Sequence, residues 1–364
     1  MSKCWLVGGA VRDMLLGREP KDRDYVVVGA TPEEMIANGY EQVGADFPVF
    51  LKNGEEYALA RKERKVGVGY NGFETEFDVS VTLEEDLLRR DLTINSIAYD
   101  AESGVFIDPC GGMEDLRNGV LRHTSEAFSE DPLRVLRVAR FASRYSHFVV
   151  DNATMDLMKD MVKAGELASL TKERVVSEFE KAFSESDPMR FVSVLYLVGA
   201  LKVVFPELSS IIGKMGGNEF LSWCQKLYEL KDARERLAFV FSHFGFSDVR
   251  WIATQMKFPK EVAELAEDFI DFKCRYNMTA ETTVELFDSF RVGHHPERFW
   301  KVFDMFNDVY PGYEKDEKRA VSMLIDYNLV TVSKYVDEVV HLKGSAIGKF
   351  IKDRRIEVIG QNHF

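Results

Sequence analysis

Leu6-Val7-Gly8-Gly9-Ala10-Val11-Arg12-Asp13, followed by Lys21-Asp22-Arg23-Asp24-Tyr25-Val26-Val27-Val28, is the stretch whose reading decides the fold. Residues 4–7 read as a short strand that runs into Gly8-Gly9 and then into a helix over 11–16. Successive side chains of a strand point to opposite faces, so a strand carrying Asp22 and Asp24 projects both carboxylates one way and Arg23 the other. Two like charges held that close raise each other's pKa and repel unless a cation lies between them, and hard oxygen ligands favour Mg²⁺. The glycines let backbone N–H groups approach a phosphate, and the helix N-terminus adds a partial positive charge. The runs 5–7 and 25–28 are apolar enough for buried strands, which puts the acids at the mouth of a core sheet, where carboxylates need partners. Singly, Asp-x-Asp is equally the pattern of a solvated strand edge, and Gly-Gly that of an ordinary turn. No Gly-x-x-x-x-Gly-Lys-Ser/Thr run occurs, so this is not a P-loop protein.

With 364 residues, 46% of them hydrophobic, the chain can build two or more domains with cores of their own. Its formal net charge of −13 argues against a broad DNA-binding surface and confines any contact with nucleic acid to local basic stripes, without excluding RNA. No apolar run follows a basic start, and none reaches about 18 residues, so neither a signal peptide nor a membrane span is expected and the placement is cytoplasmic. Cys4, Cys110, Cys224 and Cys274 are scattered without Cys-x-x-Cys spacing, which disfavours zinc and a disulfide framework.

Up to about residue 125, short strands, turns and helices alternate, with strands expected over 49–51, 55–60, 77–81, 96–99 and 105–107. From residue 126 the glycines thin out and helical periodicity takes over, as in 131–145, 171–183 and 188–198. Ser125, Thr171 and Asp187 stand where helix caps belong. The fold class is therefore α+β: a mixed sheet with helices first, an all-helical remainder after it. Arg61 to Phe73 carries three glycines and a cationic start. It reads as a loop rather than an element, either a solvated hairpin connection or a lid over substrate.

Two arginine runs stand out. Glu84-Glu85-Asp86-Leu87-Leu88-Arg89-Arg90-Asp91 packs acids and then paired arginines ahead of an apolar strand. Arg forks suit triphosphate and ribose oxygens, and the same run reads equally as a salt-bridged helix end. In Glu130-Asp131-Pro132-Leu133-Arg134-Val135-Leu136-Arg137-Val138-Ala139-Arg140, spacing of three lines Asp131, Arg134, Arg137 and Arg140 along one polar helix stripe. An Asp offers acceptors and an Arg a planar donor fork, so this pair can meet a nucleobase edge as a complementary base would; structural pairing along the helix is the alternative. Near the end, Lys343, Lys349, Lys352, Arg354 and Arg355 form a cationic stripe on an acidic chain. It suits RNA phosphates, or a helix C-terminus satisfying its dipole.

Together these motifs resemble the class II tRNA nucleotidyltransferases, the CCA-adding enzymes of the polymerase-β-like superfamily. Leu6 to Asp13 with Asp22 and Asp24 looks like the family's metal motif, Arg89-Arg90-Asp91 its ribose motif, and Glu130 to Arg134 its nucleotide-selecting motif. The resemblance implies a catalytic head over 1–125, a helical neck over 126–205 and an elongated helical body and tail that binds tRNA over 206–364. It implies that Asp22 and Asp24 bind Mg²⁺, with Glu56 the candidate third catalytic carboxylate. Gly8, Gly9 and Arg12 would contact the incoming nucleotide, Arg90 and Asp91 its ribose, and Arg137 and Arg140 its phosphates or base. Asp131 with Arg134 would select C or A, from CTP and ATP and without a template. The tRNA 3′-hydroxyl would attack the α-phosphate in line, one metal ion lowering the hydroxyl pKa and another steadying pyrophosphate, with no covalent intermediate.

Longer bacterial relatives carry a C-terminal His-Asp phosphohydrolase domain, which is not expected in this chain. Ser242-His243-Phe244 and His294-His295 do not supply its pairs, so phosphatase or phosphodiesterase activity is not expected. Within the superfamily, an enzyme adding only CC or only A, or a poly(A) polymerase, competes with full CCA addition; the glycine loop after Arg61 favours full addition, because the resemblance links it to the switch from C to A. A pure RNA-binding protein would have no chemical need for the paired acids. A transferase acting on a small molecule or protein would leave the helical body unexplained.

Overall fold

The computed structural model describes residues 2–43, 49–65, 73–76, 79–276, 278–311 and 317–364. The chain separates into two compact units, Met1–Ser210 and Ile211–Phe364. Among the described residues no helix is long and apolar enough to cross a membrane.

The first unit is built on a seven-stranded mixed sheet. Its strands are β1 (Lys3–Val7), β2 (Asp24–Val28), β3 (Glu41–Val43), β4 (Val49–Lys52), β5 (Glu55–Leu59), β8 (Ala98–Asp100) and β9 (Val105–Ile107), in the spatial order β3-β4-β5-β2-β1-β8-β9. Only β2 and β5 pair in parallel; every other neighbour is antiparallel. Alternation along β1 sends Val7 to one face, with Val26, Ala98 and the α3 residues Leu83 and Leu87 (α3, Leu83–Leu88). Leu6 goes to the other face, with Ala10 and Val11 of α1 (Gly9–Leu15). Both faces are thus covered, and the residues at the strand ends open onto whatever lies beyond the sheet.

Two strand expectations change. β2 begins at Asp24 rather than at residue 22, because its partner β1 ends at Val7, which pairs with Asp24, and then turns away at Gly8. Asp22 and Arg23 lie outside the ladder, Asp22 in a bend. The strand expected over 77–81 is displaced: β6 (Lys62–Lys65) and β7 (Phe73–Glu76) form an antiparallel hairpin instead, while Val79 and Ser80 form a turn. Part of the presumed loop after Arg61 is therefore strand. Its glycine-bearing centre, residues 66–72, and Phe77 lie outside the described residues, as does any lid role read into them.

Helices α2 (Pro32–Ala37) and α4 (Gly112–Asn118) complete the sheet layer, and Val120–Leu121 pairs in parallel with Val149–Val150 (β10 and β11). Then α5 (Leu133–Arg144) packs on α7 (Lys172–Phe183) and α8 (Pro188–Leu197), preceded and followed by α6 (Asn152–Lys163) and α9 (Ala200–Val204) in chain order around them. Val135, Leu136, Val138, Ala139 and Ala142 are fully enclosed, which explains why a helix carrying four arginines is stable at all. Asp187 caps α8 by accepting from the Arg190 N–H, and Ser125 accepts from Ala127 N as expected; Thr171 makes no such side-chain bond.

The second unit is helical throughout: α11 (Gly217–Glu229), α12 (Ala233–Phe241), α13 (Phe246–Met256), α14 (Lys260–Arg275), α15 (Ala280–Phe290), α16 (Pro296–Val309), α17 (Glu317–Leu329), α18 (Val336–Val339) and α19 (Ser345–His363), with α10 (Pro206–Lys214) leading into it. Its core is aromatic, Phe272 meeting Tyr276, Phe299, Phe303 and Phe306. His243 is packed here, its Nδ1 2.8 Å from Phe239 O, and burial lowers its pKa.

One close approach fixes the floor of the first unit. A Cβ on Gly112 would sit 2.0 Å from Thr93 O, because α4 abuts the 3₁₀ turn Thr93–Asn95. Asp108 holds that helix start in place by accepting from Gly112 N (2.7 Å) and Met113 N (2.8 Å). Gly112→Ala must push the turn aside, and a loss of about 2–4 kcal/mol is expected. Urea unfolding of the two proteins at pH 7 measures it.

Candidate active site

A cleft of about 690 Å³ opens beside the Gly8-Gly9 turn, lined by nine arginines and only four carboxylates. On a chain of net charge −13 such a concentration of guanidinium groups makes a local anion trap, suited to polyphosphate.

At Gly8 the backbone has φ 70°, and a Cβ there would lie 3.1 Å from Arg90 Nη1, so both conformation and space call for glycine. A Cβ on Gly9 would lie 3.4 Å from Arg12 Nη2. Because α1 has only seven residues, the full charges of Arg12 and Arg90 outweigh its terminal dipole at this turn. Arg12 is buried; its Nη1 donates to Asn95 Oδ1 (2.7 Å) and its Nε to Asp13 Oδ1 (2.9 Å).

The acid-and-arginine run ends a helix, and its ion pairs are internal. Thr82 and Glu85 form a capping box at the start of α3. One turn on, fully buried Asp86 accepts from Arg89 Nη2 (2.7 Å) and Arg90 Nη2 (3.1 Å). Burial alone would push its pKa up; the two guanidinium groups outweigh that and hold it below the usual carboxylate range. Asp91 is more completely used. Its Oδ1 accepts from Leu92 N (2.8 Å) and Asn95 Nδ2 (3.0 Å), and its Oδ2 takes Nε and Nη2 of Arg137, each at 2.7 Å. A carboxylate has about four acceptor positions, so Asp91 has none left over for a ribose hydroxyl and works as a bracket. Burial again acts upward, and Arg137 with Asn95 reverses it, leaving Asp91 far below its ordinary value.

Asp24 behaves oppositely. Burial raises its pKa, Arg90 opposes and neighbouring Asp22 adds to the rise. Among the described residues no ion pair reaches its carboxylate. Asp24 lines the arginine cleft and also a second groove with Asp22, Glu55 and Glu56. Glu56 stands opposite Asp24 in the parallel β2–β5 register, on the same face, while Glu55 turns away to Arg23 (3.7 Å) and to the hydroxyls of Tyr25 and Tyr57. Among the described residues no three acids, histidines or cysteines converge as one metal site. The side chain of Glu56 is exposed, and the strand register brings it near the acidic pair. Two hard carboxylates still fit a divalent cation, because Mg²⁺ is commonly held by one or two carboxylates with substrate phosphates and water supplying the rest.

The selector run is rearranged relative to a single exposed stripe. α5 starts at Leu133, so Asp131 precedes the helix; it accepts from Leu133 N (3.0 Å) and from Arg174 Nη2 (3.1 Å) on α7. Arg134 is buried and donates to the carbonyls of Ala127 (2.6 Å) and Arg89 (2.5 Å). Arg140 is also buried, its Nε 2.7 Å from Glu178 Oε2. Asp131 and Arg134 are thus brought to the same cleft, joined by the Arg134 N–H donating to Asp131 O (3.0 Å), while their side chains reach different partners. Asp86, Asn95, Arg174 and Glu178 were missed from the sequence, and only Asp86 carried a local signal, its spacing of three and four from Arg89 and Arg90.

In the second unit the cationic stripe divides. Lys352 pairs with Glu285 (2.8 Å), Arg354 with Glu338 (2.9 Å) and Arg355 with Asp288 (3.2 Å), the last also lying over the Tyr327 ring. Lys343 and Lys349 are exposed.

A mixed sheet ending in paired carboxylates, a glycine turn and an arginine-lined cleft define a nucleotidyltransferase head. The sequence matches the poly A polymerase head domain over residues 4–122 and the probable RNA- and SrmB-binding site of polymerase A over 147–212. It is 43% identical over 342 residues to the multifunctional CCA protein of Mannheimia succiniciproducens, covering 81% of this chain and 80% of that one. With the protein of the same name from Haemophilus ducreyi it shares 39% identity over 406 residues, covering 98% of each. The crystal structure of the Bacillus stearothermophilus CCA-adding enzyme in complex with CTP superposes with a TM-score of 0.72 at 25% identity, over 99% of this chain and 89% of that one. The chain belongs to the CCA-adding enzymes, the tRNA nucleotidyltransferases, a membership that implies use of a divalent metal.

The depressed pKa of Asp86 contributes stability that is present above the unfolded carboxylate value of about 3.9 and is lost as pH falls through the lower folded value. Asp86→Asn should therefore lower unfolding free energy at pH 7 by about 2–3 kcal/mol, because Arg89 and Arg90 lose a buried partner. The difference between variant and parent should narrow below about pH 4, as denaturant titrations across pH will show.

Proposed function

We propose that this protein completes the 3′ end of tRNA by adding C, C and A from CTP and ATP without a nucleic-acid template. The observation that carries the reading is the arrangement of Asp24, raised in pKa and without an ion pair among the described residues, at the edge of a cleft where Asp91 and Asp131 are held by arginine and backbone N–H groups. Asp22 and Asp24 would hold Mg²⁺, which when bound lowers the pKa of the attacking 3′-hydroxyl and offsets charge on the leaving pyrophosphate. Gly8 and Gly9 admit the triphosphate close to the backbone, while Arg12 and Arg90 neutralise its oxygens. Charge stabilisation of this kind carries phosphoryl-type transfer with little covalent work for the protein.

Base choice falls to Asp131 and Arg134. Cytosine and adenine each present an exocyclic amino donor beside a ring acceptor, which a carboxylate and a guanidinium can meet. Arg134 spends one N–H of each amino group on a carbonyl and has further donors in its fork of five. Arg137 and Arg140 complete the positive wall. Lys343 and Lys349, exposed on the second unit, would meet tRNA phosphates. A substrate of tRNA with CTP and ATP implies a cytoplasmic setting.

Incubation with tRNA lacking its 3′ CCA, Mg²⁺, and CTP or ATP alone and together, resolved at single-nucleotide length, tests the reading. Ordered growth by C, C and A that then stops is expected, and Asp22→Ala or Asp24→Ala should slow it by more than about a hundredfold. Growth that ends at CC, A added only to a CC end, or a long A tail would replace it with a partial enzyme or a poly(A) polymerase. Binding of tRNA without extension would leave an RNA-binding protein. Replacing Lys343 and Lys349 together by Ala should raise KM for tRNA about threefold and flatten its salt dependence, leaving KM for CTP unchanged.

A further inference from the structure

Arg12 on α1 and Arg137 on α5 come from sequence positions far apart, yet one buried chain of hydrogen bonds joins them. Arg12 Nη1 donates to Asn95 Oδ1 (2.7 Å), Asn95 Nδ2 donates to Asp91 Oδ1 (3.0 Å), and Asp91 Oδ2 accepts from Arg137 (2.7 Å). Asn95 is 6% exposed and Arg12 4%. The orientation of the amide is dictated by its neighbours: arginine only donates and a carboxylate only accepts, so the oxygen must face Arg12 and the NH₂ must face Asp91. No ionised side chain of similar size could do both, and an apolar one could do neither. The amide is also in the wall of the cleft, at the hydrogen-bonded link between the two guanidinium groups, which also share the Phe141 ring at 5.5 and 5.9 Å.

We propose that Asn95 is a positioning residue for the incoming nucleotide, its carboxamide locking Arg12 to the Asp91–Arg137 pair so that both arginines meet one nucleoside triphosphate in a fixed relation. This rests on the reading that Arg12 and Arg137 touch the nucleotide. The residue makes no contact with substrate in this role; it sets where two others stand. Held arginines lose less freedom on binding than arginines that must be ordered by the ligand, which is where the gain in affinity and geometry arises.

Asn95→Asp gives a test that a purely structural role would not pass. Protonated, the new carboxyl reproduces both bonds: its hydroxyl donates to Asp91 Oδ1 and its carbonyl accepts from Arg12. Ionised, it cannot donate and instead faces the Asp91 carboxylate at hydrogen-bond distance. The charged groups around it are Arg12 and Asp13 from α1, Arg90 and Asp91 from the segment after α3, Arg137 from α5, and Asp115 of α4 through its bond to Thr93 (2.8 Å). The arginines favour the ionised form and the acids the protonated one, and Asp91, as the nearest, resists a second charge.

Single-nucleotide addition of C and of A to the full-length protein's tRNA substrate is measured from pH 5 to pH 9 for wild type, Asn95→Asp and Asn95→Ala, with thermal melts in the same buffers. For Asn95→Asp, kcat/KM relative to wild type should fall by about tenfold or more as pH rises, the cost of one unmade buried hydrogen bond and its repulsion. Asn95→Ala should lose about tenfold in kcat/KM for CTP and ATP alike while keeping the wild-type pH profile. An Asn95→Asp profile parallel to that of wild type overturns the proposal. Should that variant fail to fold, a folded Asn95→Ala with unchanged kcat/KM for both nucleotides overturns it as well. Wild-type protein that extends no tRNA would instead sink the functional reading on which the proposal stands.

Discussion

Nine arginines cannot share a cleft of about 690 Å³ without internal counter-ions, and the protein supplies them from beneath. Two guanidinium charges about 6 Å apart repel by about 3 kcal/mol at an effective dielectric of 20. Asp86 holds Arg89 and Arg90, Asp91 holds Arg137, Asp131 meets Arg174, and Glu178 holds Arg140. Each pair leaves part of a guanidinium fork for an outside anion while fixing where that fork stands. Remove these acids and the cleft would be both unstable and disordered.

The carboxylates of the first unit therefore fall into two populations with opposite electrostatics. Asp86 and Asp91 are buried, paired and depressed in pKa. Asp24 is raised, with Asp22 close enough to add to the rise. Environments that push similar groups apart mark a division of roles: the first two serve the protein's own arginines, and the third remains available to a cation. A wall of held arginines beside Asp24, which has no ion pair among the described residues, is an arrangement that a metal-bound nucleoside triphosphate would complement in charge on both sides.

The same principle accounts for where the polar residues of α5 went. A helix with three arginines three residues apart looks amphipathic on paper, with an exposed charged face. Here Arg134 and Arg140 are buried, because the end of α3 and the turn before α5 present carbonyls to the one and α7 presents Glu178 to the other. Burial of a charge is costly unless it is paired and hydrogen-bonded, and both conditions are met by residues from other elements.

Much of this was legible in the chain itself. The period-two strands around Gly8-Gly9, the caps at Ser125 and Asp187 and the crowding of acids ahead of Arg89-Arg90 are local patterns, and local patterns are what sequence encodes directly. Sequence by itself determined the mixed sheet with its helical continuation, the glycine turn and the concentration of arginine on an acidic chain. Tertiary structure alone decided that β2 starts at Asp24, that Asp91 is fully spent on Asn95 and Arg137, and that Asp131 meets Arg174. Arg174 and Asp131 lie 43 residues apart, Arg137 and Asp91 46, and Arg12 and Asn95 83. No periodicity spans such distances; which donor meets which acceptor is settled only when the sheet and helices have packed and every buried charge has found the nearest group able to satisfy it.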